Sequence, residues 1–179
     1  MRLAKFWILA NVDRNLFSQP KATAASLDAR LLIGFGNGLR SDDGAGLRAA
    51  TLIAEQSPSL RVIIAQQLTP DLAEDIAAAA QVVFIDAYAA PETSARLRVE
   101  RVFSGDTGRV SPAAHHGSPA GLMRLAREVF GAAPDAWVVG IPAYSFVAGE
   151  AISPGTSYWI HEAVALVGGC ARAGGWKGD

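Results

Sequence analysis

An apolar run that breaks into glycines and two adjacent acids before turning amphipathic sets much of what this chain can fold into. In Leu31-Leu32-Ile33-Gly34-Phe35-Gly36-Asn37-Gly38-Leu39-Arg40-Ser41-Asp42-Asp43-Gly44-Ala45-Gly46 the first residues read as a strand buried on both faces, and such strands belong to parallel sheets covered by helices. Side chains of the turn that follows then face the carboxyl edge of the sheet, where α/β proteins do their chemistry. A glycine turn ahead of a helix suits anions, because its backbone N–H groups are free. Asp42 and Asp43 repel an anion unless a cation intervenes. The structural alternative is that one acid caps the helix starting near Gly44 and the other is solvated.

The rest of the chain repeats the strand–helix alternation. Residues 29–35 form the first strand, 45–55 a helix with Leu47, Ala50, Thr51 and Ala54 on one face, and 61–65 a β-branched second strand. Residues 71–80 read as a helix, with Thr69 as cap and Pro70 at its first position. Residues 81–85 are almost continuously apolar and predict a central strand. Residues 95–103 alternate Arg96, Arg98 and Glu100 with Leu97, Val99 and Val102, as a half-exposed edge strand does. A helix over 118–130, a strand over 137–141 and a closing helix over 154–167 complete the pattern. The expected fold is a three-layer α/β/α sandwich around a twisted, mostly parallel sheet of about five strands.

A length of 179 residues suits one such core, assigned here to residues 29–179, with residues 1–28 as an N-terminal extension. Within the extension, Phe6-Trp7-Ile8-Leu9-Ala10 is interrupted by Asn11, Asp13 and Arg14, far short of the roughly 18 apolar residues of a membrane span. With 16 basic against 17 acidic residues, no electrostatic case arises for a nucleic acid or an anionic membrane. The single cysteine, Cys170, rules out an intramolecular disulfide and a thiolate metal cluster, and points to a reducing, cytoplasmic setting.

Two further strand ends carry chemistry. Asp86, in Phe84-Ile85-Asp86-Ala87-Tyr88, follows a buried strand and is partly desolvated, which costs free energy unless a hydrogen bond or a cation compensates. The structural alternative is a turn in which Asp86 accepts backbone N–H bonds. His115-His116 precedes a helix start at Ser118 and can ligate a metal, move protons or simply be solvated. Two carboxylates and an imidazole from three loops suit a divalent cation such as nickel or zinc, with a coordination position left open. Tyr88, Tyr144, Phe146 and Val147 lie near the same edge, to grip a protein substrate or to fill the rim of the core.

The run from Gly34 to Gly46 resembles the opening signature of the hydrogenase maturation proteases, endopeptidases that trim the C-terminus of a NiFe-hydrogenase large subunit. Four further segments resemble that family in order: Gln66-Gln67-Leu68-Thr69-Pro70-Asp71-Leu72-Ala73, Val82-Val83-Phe84-Ile85-Asp86-Ala87, His115-His116-Gly117-Ser118-Pro119-Ala120-Gly121-Leu122, and Val139-Gly140-Ile141-Pro142-Ala143 with Gly149-Glu150-Ala151-Ile152-Ser153-Pro154. The resemblance implies a metal-contacting acid at Asp43, where many members have Glu, a second acid at Asp86, and a histidine at His115, with His116 as the alternative. Gly117 stands where a leucine is common in the family. The implied activity is one cleavage of a large-subunit precursor after nickel insertion. No cofactor is permanently bound on this view; the nickel arrives with the substrate. Either an Asp activates water, in the manner of an aspartic-type protease, or the metal polarises the carbonyl.

Other chemistries fit less well. A dinucleotide fold needs a third glycine three residues after Gly36 and an acid ending the second strand, and both are missing. His161-Glu162 lacks the second histidine of a zinc protease, since position 165 is Ala, and no Gly-x-Ser-x-Gly elbow occurs. A non-catalytic chaperone for the large subunit is the alternative from another class, and it has no need of the Asp43, Asp86 and His115 set.

Overall fold

The computed structural model describes residues 30–91, 94–102, 117–173 and 176. Five strands and four helices are found among them: β1 (Arg30–Phe35), α1 (Ala45–Gln56), β2 (Arg61–Ala65), α2 (Leu72–Ala78), β3 (Gln81–Ala89), β4 (Arg98–Val102), α3 (Pro119–Phe130), β5 (Asp135–Ala143) and α4 (Pro154–Arg172). A short 3-10 turn, Ser41–Gly44, joins β1 to α1.

The strands lie in the order β2-β1-β3-β5-β4, with β4 antiparallel to β5 and the other pairs parallel. The path from β1 to β2 steps one way across the sheet and the path from β2 to β3 steps back past β1, so α1 and α2 cover opposite faces. Each face has its own core. Leu32, Ile53, Val83, Ile85, Ile141, Ile160 and Val167 pack between the sheet and α1 and α4. Leu31, Ile33, Phe84, Ile76, Leu122 and Met123 fill the other side, under α2 and α3. The expected three-layer sandwich is thus present, with residues 30–34 of β1 and 82–85 of β3 buried at its centre and β4 at an edge.

Several boundaries differ from expectation for physical reasons. β3 runs on to Ala89 because β5 continues to pair with it, from Asp86 opposite Gly140 to Ala89 opposite Ala143, whereas β1 stops pairing at Gly34 opposite Ile85. Helix α2 starts at Leu72 without a side-chain cap; the Thr69 carbonyl, not its hydroxyl, accepts the Leu72 N–H at 3.1 Å. Ser118 does cap α3, accepting the Gly121 N–H at 3.1 Å ahead of Pro119, and α3 stops at Gly131 in the left-handed conformation. Helix α4 extends past Val167, so Cys170 sits in its last turns, half-buried, where burial raises the thiol pKa. No described helix is long and apolar enough to cross a membrane.

Candidate active site

Strand order decides where a ligand can sit. Neighbouring parallel strands whose following connections leave in opposite directions open a crevice at their carboxyl ends. Here those strands are β1 and β3, flanked by β2 and β5. The β1 turn delivers Asp43 to this crevice, and β3 delivers Asp86 at the first position beyond its pairing with β1.

The two acids that stand side by side in sequence have separate fates. Asp42 is fully buried and caps nothing in its own helix: the residue ahead of α1 is Gly44, with no side-chain cap. Its carboxylate instead accepts the N–H groups of Tyr144 and Ser145, each at 2.9 Å, and of Ser153 at 2.6 Å. The Ser153 and Thr156 hydroxyls donate to it as well, at 2.7 and 2.8 Å. Burial by itself pushes the Asp42 pKa up, but these hydrogen bonds outweigh it and leave the group below the usual carboxylate range. Asp42 thereby bolts the β1 turn to the loop after β5 and to the start of α4. The clamp continues outward. Ser41, held at φ 50°, donates its N–H to the Gly149 carbonyl at 2.6 Å and its hydroxyl to the Val147 carbonyl at 3.1 Å. Such a backbone conformation is costly for a non-glycine residue and persists only where its surroundings over-determine it.

Asp43 is left half-buried at the mouth of the crevice, with one carboxylate oxygen 3.3 Å from the Asn37 N–H. Gly36 makes the approach possible. At φ +140° it adopts a conformation open to glycine, and a Cβ there would lie 2.0 Å from the Asp43 carbonyl oxygen and 4.0 Å from Asp86 Oδ1. Asp86 is half-buried, and its Oδ1 accepts the Ala87 N–H at 2.8 Å. Burial raises the Asp86 pKa; the Ala87 bond lowers it and the nearby Asp43 charge raises it again, with a balance at about 6. A carboxylate of that basicity is largely ionised at neutral pH and is suited both to a divalent cation and to taking a proton from water.

The structure therefore brings Asp43 and Asp86 together, and separates Asp42 from them. His115 and His116 lie outside the described residues, and among the described residues no group of three His, Cys, Asp or Glu side chains is placed to hold a metal ion. Of the apolar candidates near the edge, Tyr144 packs against α4, where its hydroxyl accepts the Trp159 Nε1–H at 3.0 Å, while Val147 is 66% exposed. Three residues absent from the sequence-based site matter to it: Asn37, which holds Asp43, and Ser153 and Thr156, which hold Asp42. A Ser-Pro pair signals a helix start and so marks Ser153 as a cap, but nothing local ties it to a carboxylate 111 positions away.

No protein-family model matches the chain, and no curated protein does. Solved structures do. The hydrogenase-maturating endopeptidase HybD from E. coli superposes with a TM-score of 0.60 at 19% identity, covering 81% of this chain and 93% of that one. A NiFe-hydrogenase maturation protease, HycI from Thermococcus kodakarensis KOD1, gives 0.63 at 21% identity over 81% and 93% of the two chains. The endopeptidase HycI from Escherichia coli gives 0.61 at 17%, over 84% and 96%. At these identities the likeness is one of architecture, and it covers nearly the whole of each relative: this chain has the fold of the hydrogenase maturation endopeptidases.

Proposed function

We propose that this chain is an endopeptidase that removes the C-terminal extension of a nickel-loaded NiFe-hydrogenase large-subunit precursor. The observation that carries the reading is the pair Asp43 and Asp86, held together in the β1/β3 crevice of a fold shared with maturation endopeptidases. Two carboxylates at the crevice mouth offer oxygen ligands to a cation presented by the substrate, and His115 supplies the imidazole that completes the set. The nickel belongs to the substrate. Asp86, more basic than an ordinary aspartate, is suited to accept a proton from the attacking water. A cytoplasmic location agrees with a chain whose one cysteine needs no oxidising compartment.

The test is direct. The purified protein is incubated with nickel-loaded and nickel-free large-subunit precursors and the new C-terminus is determined by mass spectrometry. Cleavage of the loaded form alone, lost in Asp43→Ala, Asp86→Ala and His115→Ala, is the expected outcome. Cleavage regardless of nickel overturns the metal-recognition part, and full processing by all three variants overturns the site. Binding of the loaded precursor without cleavage converts the reading to that of a chaperone.

A further inference from the structure

One row of the sheet carries an exposed cation to the same edge as the acids. Asp86 on β3 lies opposite Gly140 on β5, and Gly140 lies opposite Arg98 on the edge strand β4. Residues directly opposite one another point to the same face, so Asp86 and Arg98 flank a position without a side chain. The gap is used. The Tyr88 ring, two residues beyond Asp86 and on its face, lies down across Gly140: a Cβ there would meet Tyr88 Cδ1 at 3.1 Å and Arg98 Cβ at 3.4 Å. The Tyr88 hydroxyl donates to the Arg96 carbonyl at 2.7 Å, which pins the ring, and the Arg98 guanidinium carbon stands 3.6 Å from the ring centroid.

Stacking of this kind holds a guanidinium in place while leaving its N–H edge available, and the edge fits a carboxylate in two-pronged fashion. Arg98 is exposed and makes no ion pair among the described residues. The other arginines on the two edge strands show the contrast: Arg101, also on β4, is paired with Asp135, and Arg61, on β2 at the far edge, with Asp75. Two inter-strand spacings separate the Asp86 and Arg98 backbones by about 10 Å, which an extended polypeptide covers in about three residues.

From this geometry, and resting on the peptidase reading above, we infer that Arg98 on its Tyr88 platform is a substrate-anchoring residue. Its ligand is an acidic side chain of the polypeptide substrate, within about three residues of the bond cleaved at Asp43 and Asp86. The cation engages substrate before and during cleavage alike, so its loss weakens binding rather than the chemical step.

The experiment measures kcat and KM on the nickel-loaded precursor for the wild type, Arg98→Ala, Arg98→Lys and Arg98→Glu, with a thermal melt of each protein. The acids near the cleavage point of the precursor are changed to Lys one at a time. Expected are a KM raised about tenfold in Arg98→Ala and further in Arg98→Glu, with kcat unchanged, a melting temperature lowered by no more than a few degrees through the lost stacking on Tyr88, and Arg98→Lys in between. One Lys-substituted precursor should regain a low KM with Arg98→Glu, a charge-swap recovery that a merely structural role does not produce. Unchanged KM in Arg98→Ala and Arg98→Glu, or the absence of any charge-swap recovery, overturns this inference while wild-type processing leaves the peptidase reading standing. No processing by the wild type overturns both.

Discussion

Replacing Asp42 by Ala tests the clamp that sets the position of its neighbour. The substitution removes the acceptor for three backbone N–H groups, those of Tyr144, Ser145 and Ser153. The two hydroxyls are less affected, because Thr156 Oγ1 also reaches the Pro142 carbonyl at 3.1 Å and Ser153 Oγ also reaches Thr156 Oγ1 at 3.2 Å. The three N–H groups are partly buried, so each left without a partner costs about 1 kcal/mol, the low end of the range for buried groups, and the loss should be about 3 kcal/mol before any cavity is counted. Asp42→Asn keeps the shape and one acceptor oxygen but turns an NH₂ toward donors, and should lose about 2 kcal/mol. The sign with pH follows from the depressed pKa of Asp42: the folded protein binds this proton less readily than the unfolded chain does. Its contribution is therefore present above the unfolded value of about 3.9 and is lost as pH falls through the folded value. Urea unfolding at pH 7 and at a series of acidic pH values reads both effects. A loss under ~1 kcal/mol in Asp42→Ala, or an acid dependence in Asp42→Asn equal to that of the wild type, refutes the clamp.

Asp86→Asn should abolish processing yet stabilise the fold above pH 6, by up to about 3 kcal/mol, because the raised pKa means that ionising Asp86 costs the native state. In the wild type, the stability tied to the neutral Asp86 carboxyl is fully present below the unfolded pKa and is lost as pH rises through about 6, so the gain of the variant should vanish, and the two thermal melts converge, near pH 4. Wild-type processing, which uses the ionised carboxylate, should rise through about pH 6. Asp43→Asn removes a neighbouring negative charge and should lower the Asp86 pKa, read by NMR titration of its carboxyl carbon; an unmoved pKa would place the two acids too far apart to act together. Gly36→Ala drives a methyl group into the Asp43 carbonyl and should cost more than ~1 kcal/mol and most of the activity, so near-normal stability and turnover would contradict the close approach described at the site.

How much of the site was legible follows from how local each feature is. That Asp43 and Asp86 lie at the carboxyl edge was readable because the turn after one apolar strand and the end of the apolar run of another must reach that edge, whatever the rest of the chain does. The role of Asp42 was not: its partners Tyr144, Ser145, Ser153 and Thr156 lie more than 100 positions away, and an acid one residue before another at a helix start reads as a cap by every nearby signal. Arg98 read as the polar side of an edge strand, which it is. Its place over Tyr88 depends on the register of three strands.

The amino-acid sequence by itself determined the strand and helix segments, the mostly parallel layered architecture and the edges at which chemistry collects, because periodicity and turn residues act over a few positions. Tertiary structure decided the strand order that opens the crevice between β1 and β3, the continuation of β3 past Asp86 along β5, and the division of labour between Asp42 and Asp43. Those depend on which distant backbone donors meet a given carboxylate once the sheet has closed, and only the folded chain brings them within 3 Å of it.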